Sequence, residues 1–495
     1  MKYIYLTAFI VLIYSVGFPQ SRDNLWMLGY YPTSNGKIDI DFSSGSPILL
    51  PTNRNINLSY TLANITDYSG NLLFYTNGAI VANALNDTML NGDSLSPASY
   101  TFSGAWQFFG FPVSQGALII PVPGDSMKYY LFHSSADILS NGDQCPLHLY
   151  YSIIDLAADS GRGALITKNS VLLYDTLSGG NLTACKHANG RDWWVLVSEF
   201  GHPAYYEFLI SPLGIQLVRK QIIGQRLKSD GQSTFNRQGT KYARYDTTND
   251  FDVFDFDRCT GVLSNNIHVA INDSMFGFGV GISPDGSKVY ASSAQFLYQF
   301  DLNATNVAAS MTTVAEWDST YSPFPTLFSV QQLAPDGKIY IATTSTNDVM
   351  HIIDSPNNAG VACNVLQHGL QLPVINDHTV PNHPNYHLGP LVGSICDSLS
   401  VGLPHNIVQS AGLRLNPNPA SNQVWVNYQF PNNRDGWLEI YDPLGKLILK
   451  RRLYWSSTQL LVYLNEIKSN GIYVAKVFDD SGMFLSTEKM VVAKY

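Results

Sequence analysis

Apolar residues fall in short alternating runs separated by glycine-bearing turns, and helical periodicity is almost absent along the chain. Period-two runs of β-branched and aromatic residues between turn signals predict an all-β protein. The clearest units are Ile282-Ser-Pro-Asp-Gly-Ser-Lys-Val-Tyr290 and Leu333-Ala-Pro-Asp-Gly-Lys-Ile-Tyr340. Pro presets φ at the second turn position and Gly tolerates the left-handed exit, so each phrase predicts a tight turn entering a strand. Weaker copies are Asn236-Arg-Gln-Gly-Thr-Lys-Tyr242, Ala188-Asn-Gly-Arg-Asp-Trp-Trp-Val195, Pro123-Gly-Asp-Ser-Met-Lys-Tyr-Tyr130 and Tyr68-Ser-Gly-Asn-Leu-Leu-Phe74. The turn glycines Gly70, Gly124, Gly190, Gly239, Gly286 and Gly337 are spaced by 54, 66, 49, 47 and 51 residues. A period near this length fits one four-stranded propeller blade. Asn35-Gly-Lys-Ile-Asp-Ile40 marks a further, shorter blade. The 374 residues from 22 to 395 give 53 per blade for seven blades and 62 for six. Seven is favoured; six, a tandem of β-sandwiches and a β-helix are the alternatives, since turns alone do not specify ring closure.

The second half of each unit also recurs. Gln295-Phe-Leu-Tyr-Gln-Phe-Asp301, Val349-Met-His-Ile-Ile-Asp354 and Phe251-Asp-Val-Phe-Asp-Phe-Asp257 each end an apolar strand in Asp. With the Pro-Asp-Gly turns, these resemble the WD-like repeats of secreted bacterial propellers, a likeness of architecture only. Pro381-Asn-His-Pro-Asn-Tyr-His-Leu-Gly-Pro-Leu-Val-Gly-Ser394 resembles a closing segment of Bacteroidetes proteins that pair such a propeller with a sorting domain. A last Pro-rich strand can complete the ring with the strand around Leu25-Trp-Met-Leu-Gly-Tyr30 and so remove exposed sheet edges.

Both ends read as addresses. Lys2, an apolar run from Tyr3 to Val16 and Gly17-Phe-Pro-Gln-Ser21 form a cleavable secretory signal over residues 1–21. No later stretch reaches the length of a membrane-spanning helix, so none is expected in the mature chain. After the propeller at 22–395 and a polar linker at 396–412, residues 413–495 alternate about seven short strands with turns, as in a small immunoglobulin-like sandwich. This region carries Leu413-Arg-Leu-Asn-Pro-Asn-Pro-Ala-Ser421, Leu438-Glu-Ile-Tyr-Asp-Pro-Leu-Gly-Lys446, Asn470-Gly-Ile-Tyr-Val-Ala-Lys476 and Lys489-Met-Val-Val-Ala-Lys494. The order of motifs resembles the C-terminal sorting domain (type A) of Bacteroidetes proteins exported by the type IX secretion system. That resemblance implies a partner, the secretion machinery, acting through residues 413–495. It also implies export across the outer membrane, removal of the sorting domain, and release or attachment to surface lipopolysaccharide. Only Pro443 departs from the family's Asp-x-x-Gly-Lys phrase, and it suits the turn.

Charge supports the division: residues 413–495 sum to +3, which leaves -12 for the rest of a chain at -9. With no basic cluster outside that region, nucleic acid is excluded as a partner, because phosphate neutralisation needs a basic face. Charged residues are only 14% of the chain, and Asn, Ser, Thr, Gly and Tyr supply the polar surface, as in many extracellular β proteins. Five cysteines (Cys145, Cys185, Cys259, Cys363 and Cys396) permit two disulfides and an odd thiol in an oxidising compartment. Cys363 and Cys396 flank one segment and are the favoured pair.

Candidate chemistry is sparse. Asp246, Asp250, Asp252, Asp255 and Asp257 form the strongest candidate metal run, but without the glycine-bearing calcium-loop pattern they read as strand-end turn caps. His368, His378, His383 and His387 fit no ligand spacing. There is no Gly-x-Ser-x-Gly elbow, and Glu199 and Glu207 are the only glutamates before Glu316. No metal, no cofactor and no named catalytic residue is expected. Trp106, glycine-flanked, is the best candidate for an exposed aromatic. Asp followed by Ser or Thr and an apolar residue, at Asp87, Asp93, Asp125, Asp175, Asp273 and Asp397, resembles the O-glycosylation acceptor of Bacteroidetes surface proteins. Two functions remain: a secreted propeller that binds an extracellular protein or glycan or serves the envelope structurally, and a polysaccharide hydrolase or lyase with its site on the axis. Inward acids or histidines from three blades at one mouth favour the enzyme, and an aromatic face favours binding.

Overall fold

The computed structural model describes residues 22–30, 36–98, 110–139, 144–227, 230–248, 250–397, 413–430, 435–442, 446–480 and 484–494. It divides into two compact units, Met1–Leu399 and Ser400–Tyr495. The first unit is built of seven antiparallel sheets that follow one another along the chain. Sheet one holds β1 (Leu25–Leu28), β2 (Lys37–Asp41) and β3 (Ile48–Thr52), and sheet two β4 (Ala63–Thr66), β5 (Leu72–Thr76) and β6 (Val81–Asn83). Sheet three begins with β7 (Ala117–Pro121) and β8 (Lys128–Ser134). After a hairpin of β9 (Asp137–Ile138) and β10 (Gln144–Cys145), it is completed by β11 (His148–Asp155) and β12 (Ala164–Tyr174). Sheet four is β13 (Thr183–Lys186), β14 (Trp193–Ser198), β15 (Ala204–Ser211) and β16 (Gly214–Ile222). Sheet five is β17 (Gly231–Phe235), β18 (Lys241–Asp246), β19 (Asp250–Phe256) and β20 (Leu263–Ala270). Sheet six is β21 (Gly279–Ile282), β22 (Lys288–Ser293), β23 (Phe296–Asp301) and β24 (Thr312–Glu316). Sheet seven is β25 (Phe328–Leu333), β26 (Ile339–Thr343), β27 (Thr346–Ile353) and β28 (Val365–Asp377).

First strands of successive sheets pack side by side (β4 with β7, β13 with β17, β17 with β21, β21 with β25), so they line a common axis. Apolar layers fill the spaces between sheets, often around an aromatic pair: Phe74 with Tyr129, Tyr205 with Phe254, and Phe251 with Phe300. Trp26 of sheet one meets Tyr340 of sheet seven at 5.6 Å within a shared layer that includes Leu28, Ile38, Val330 and Ala342. That layer closes the ring, and the fold is a propeller of seven blades.

The repeated glycine turn is the hairpin between first and second strands. Gly70, Gly124, Gly190, Gly239, Gly286 and Gly337 all have φ between 70° and 87°, the left-handed region that glycine occupies without steric cost. Each turn is also held by an Asp or Asn side chain accepting a backbone N–H two to four residues on: Asp67, Asp125, Asn189, Asn236, Asp285 and Asp336. Gly36 differs. It lies against the backbone of Thr52, at the end where chains leave one sheet for the next, opposite the other six. The first sheet has only three strands, and β1 runs as a second strand does elsewhere.

What occupies the axis is the chain itself. After β28, His378 lies beside Ser329 at the start of β25, and the following residues run down the axis in the direction of the first strands. The Asn382 N–H donates to Leu62 O, and its side-chain amide donates to Ala117 O and Leu182 O at 2.9 and 3.0 Å. His383 Nε2 donates to Asn64 O, and the buried Tyr386 hydroxyl donates to Ile119 O at 2.8 Å. Beyond the axis Gly389 O accepts from Arg258, and Leu391 N–H donates to Ala188 O. Gly190 is needed there for space as well, because a Cβ on it would sit 2.6 Å from Pro390 N.

This path corrects the expected cysteine pairing. Cys396 is bonded to Cys259, 137 residues earlier, with 5.7 Å between Cα atoms, while Cys363 is buried and free. Cys363 sits between β27 and β28, whereas the chain emerges from the axis beside the β19–β20 turn. By chain entropy, a loop of this length contributes roughly 5 kcal/mol.

The second unit contains β29 (Arg414–Asn416), β30 (Gln423–Asn427), β31 (Gly436–Tyr441), β32 (Leu447–Leu453), β33 (Gln459–Tyr463), β34 (Gly471–Asp479) and β35 (Phe484–Val492). Sheets β29-β30-β33 and β32-β31-β34-β35 enclose Val424, Val426, Leu438, Ile440, Ala475, Val477 and Met490, as a small sandwich requires.

Asn382 tests the axial segment. Asn382→Ala leaves two buried carbonyls without their donor and should lower stability by roughly 2–4 kcal/mol. Urea unfolding measures this, and a shift below about 0.5 kcal/mol, as at an ordinary surface site, would show that the segment is not structural.

Candidate functional site

The end of the ring where the chain passes between sheets is the candidate functional face. Its floor is closed. The Gln115 amide donates to Ser233 O at 2.9 Å and accepts from Ser233 N–H, and it also reaches Asn382 Oδ1. The Gln232 amide donates to Gln331 O and accepts from the N–H groups of Val280 and Gln331. Tyr60, at φ 51°, meets His378 in a tilted contact at 4.8 Å, and Phe278 meets His378 edge-on. The hollow between Tyr60, Gln115, Gln232, Pro381 and Asn382 leaves about 10 Å³ for the centre of a water molecule, room for about one water. An axial reaction centre would need carboxylates about 5–9 Å apart around a sugar. At this mouth the chain's own backbone and amides hold that space.

Around the floor the connections between sheets carry exposed rings. Phe276 is 68% exposed on the β20–β21 connection, and Tyr321 and Phe324 are 62% and 48% exposed on the β24–β25 connection. Several ionisable groups are set deeper at this end, among them Asp230, Asp246 and Asp377. Burial pushes Asp230, before β17, up to about 6, against a hydrogen bond from Gly179 N–H that lowers it. Asp377 is likewise raised by burial and accepts from the Ser59 hydroxyl at 2.6 Å. Burial pushes the adjacent His378 down to about 4, so the ring is neutral. Among the described residues this face offers exposed aromatic rings and amide hydrogen-bonding groups.

The residues singled out in the sequence are dispersed. Asp252 and Asp246 flank the buried Arg244, and Asp252 also takes bonds from Asn266 and His268. Asp255 pairs with Lys241 and Asn265, and Asp257 caps the β19–β20 turn through Cys259 N–H. Asp250 is described through its backbone alone. Of the four histidines, His368 binds Thr326 on the outer part of sheet seven, His378 is at the mouth, His383 is within the axis, and His387 pairs with Asp23 at 2.7 Å where the segment leaves it. Among the described residues no three His, Cys, Asp or Glu side chains are grouped so as to hold a metal ion. Thr88, Ser94, Ser126 and Ser274 of the Asp-Ser/Thr motifs are exposed, and Thr176 is half-buried. Trp106 and Ser398 lie outside the described residues. The sequence reading missed Gln115, Gln232 and Arg244. An unusual concentration of amides at the starts of first strands was the available signal.

The two glutamates differ sharply. Glu199, buried like Glu207, is paired with the more exposed Lys220 at 2.7 Å and His202 at 3.1 Å. Glu207 is fully buried in β15; burial pushes its carboxyl from 4.5 up to about 8, although Arg219 at 3.4 Å pulls it down. Between those values the folded chain keeps a proton that the unfolded chain releases. Stability is complete below about 4.5 and is lost as the pH rises through 8. Glu207→Gln should remove a slope of at most about 1.4 kcal/mol per pH unit between about pH 5 and pH 8. Melting temperatures across that range check it, and an unchanged slope in the variant would assign the pH dependence elsewhere.

A family model for the secretion system C-terminal sorting domain matches residues 414–493. No curated protein matches the chain. Among solved structures, a Lactobacillus plantarum protein shares 13% identity, covering 72% of this chain and 97% of its own, at a TM-score of 0.41. The periplasmic gluconolactonase of Pseudomonas aeruginosa shares 11%, covering 73% of this chain and 100% of its own, at 0.38. PorZ, an essential surface component of the type IX secretion system of Porphyromonas gingivalis, shares 12%, covering 93% of this chain and 63% of its own, at 0.35. Similarity at this level carries nothing about activity or ligand. Residues 414–493 belong to the secretion system C-terminal sorting domain family.

Proposed function

We propose that this chain is an exported binding protein: a seven-bladed propeller carried to the cell surface or beyond by type IX secretion through residues 413–495. On this reading residues 1–21 direct passage into the periplasm, 22–395 are the cargo, and 396–412 link it to the sorting domain. The observation that supports binding is the exposure of Phe276, Tyr321 and Phe324 around a mouth whose axis is already filled. Aromatic rings present large, rigid area at little entropic cost and dominate recognition of sugars and apolar protein side chains. The ligand is an extracellular glycan or protein met by that face.

Two outcomes are expected. Deleting residues 413–495 should leave the propeller in the periplasm; normal amounts of the truncated chain at the surface, by fractionation, would refute the sorting role. Replacing Phe276, Tyr321 and Phe324 together by alanine should leave the melting temperature unchanged. Binding of the purified, labelled protein to envelope material should weaken by at least about tenfold, or 1.4 kcal/mol. Equal binding by the variant would place recognition on another surface.

A further inference from the structure

The axial segment is the last part of the propeller in the chain, and everything C-terminal to it is the tail by which the protein is sorted. Tension on that tail acts first on residues 378–396. Along the axis these residues are held by a short series of hydrogen bonds to the first strands of sheets two to four and the residues beside them: Asn382 to Leu62, Ala117 and Leu182, His383 to Asn64, and Tyr386 to Ile119. Where the segment leaves the axis, further bonds run from Asn385 to Arg237 O, His387 to Asp23, Arg258 to Gly389 O and Leu391 N–H to Ala188 O. A strand pulled from one end parts such bonds in sequence, each worth about 1 kcal/mol net. Drawing the segment out would expose the unpaired inner edges of the sheets and open the ring.

The Cys259–Cys396 bond lies between the axial segment and the tail. Cys259 belongs to the β19–β20 turn, whose backbone is fastened to sheet five through Asp257, with N–H bonds to Val262 O and from Gly261. We propose that this disulfide is a tension stop: it diverts a pull on the tail into sheet five, so that the axial segment carries none of it. The biological setting rests on the sorting role of the tail, but the mechanical behaviour does not.

Optical-tweezer stretching of the full chain, held at residues 22 and 495, tests it. The oxidised protein should show no small opening event before the first sheet unfolds. Its total extension should fall short by roughly 470 Å, the length of the 137-residue span closed by the bond. With reductant present, or in the Cys259→Ser, Cys396→Ser double variant, an early low-force step of no more than about 65 Å should precede sheet unfolding, as residues 378–396 leave the axis. Both cysteines are partly exposed, whereas Cys145, Cys185 and Cys363 are buried, so reductant reaches the intended bond in the native protein. An early step in the oxidised chain, or the same first event in both states, would overturn the proposal whatever the tail does in the cell. A periplasmic arrest of the tail-deleted chain bears on the sorting reading alone.

Discussion

A ring of sheets leaves one edge of every first strand facing the axis, and an unpaired backbone group shut away from water costs as much as a lost hydrogen bond. The rest of this propeller is arranged around that constraint. Gln115, Gln232 and Gln331 tie first strands to one another across and around the axis through their amides, and Asn382, His383 and Tyr386 bond to them from within. The three-stranded first sheet follows from the same arrangement, since its innermost place is left to the returning chain.

The blades were legible because their signals are local. A Pro-Asp-Gly turn is decided within four residues, and the strand after it by alternation, so the period emerged along with the blade count. The axial segment was legible only as something that closes the ring. Its bonds join residues 382 and 383 to partners 200 to 319 positions away, and no periodic pattern reports contacts of that range. The same blindness misassigned Cys396, whose partner depends on where the chain leaves the axis rather than on spacing. Gly36 shows a subtler limit: its left-handed φ suits glycine, but the identity of a turn residue does not say at which end of the ring it lies.

Much less of the candidate face was legible. Phe276, Tyr321 and Phe324 occupy irregular connections, where an aromatic residue looks no different in sequence from one that fills the core, and three-dimensional exposure separates them. The acidic run around Asp252 was read as turn capping. That holds for Asp257 and for Asp246, which caps the β18–β19 turn through Thr248, whereas Asp252 faces the buried Arg244. A buried cation of this kind is retained only with partners, because an unpaired charge there costs several kcal/mol.

Arg22 donates to Tyr129 beside the Gly124 turn, Asp23 holds His387, and Cys396 is fastened to the β19–β20 turn. Both termini of the ring thus leave from the end that bears the glycine hairpins. The exposed rings of Phe276, Tyr321 and Phe324 are on connections at the other end. A pull or tether applied at either described end of the ring therefore loads the glycine hairpins, on the side opposite the exposed rings.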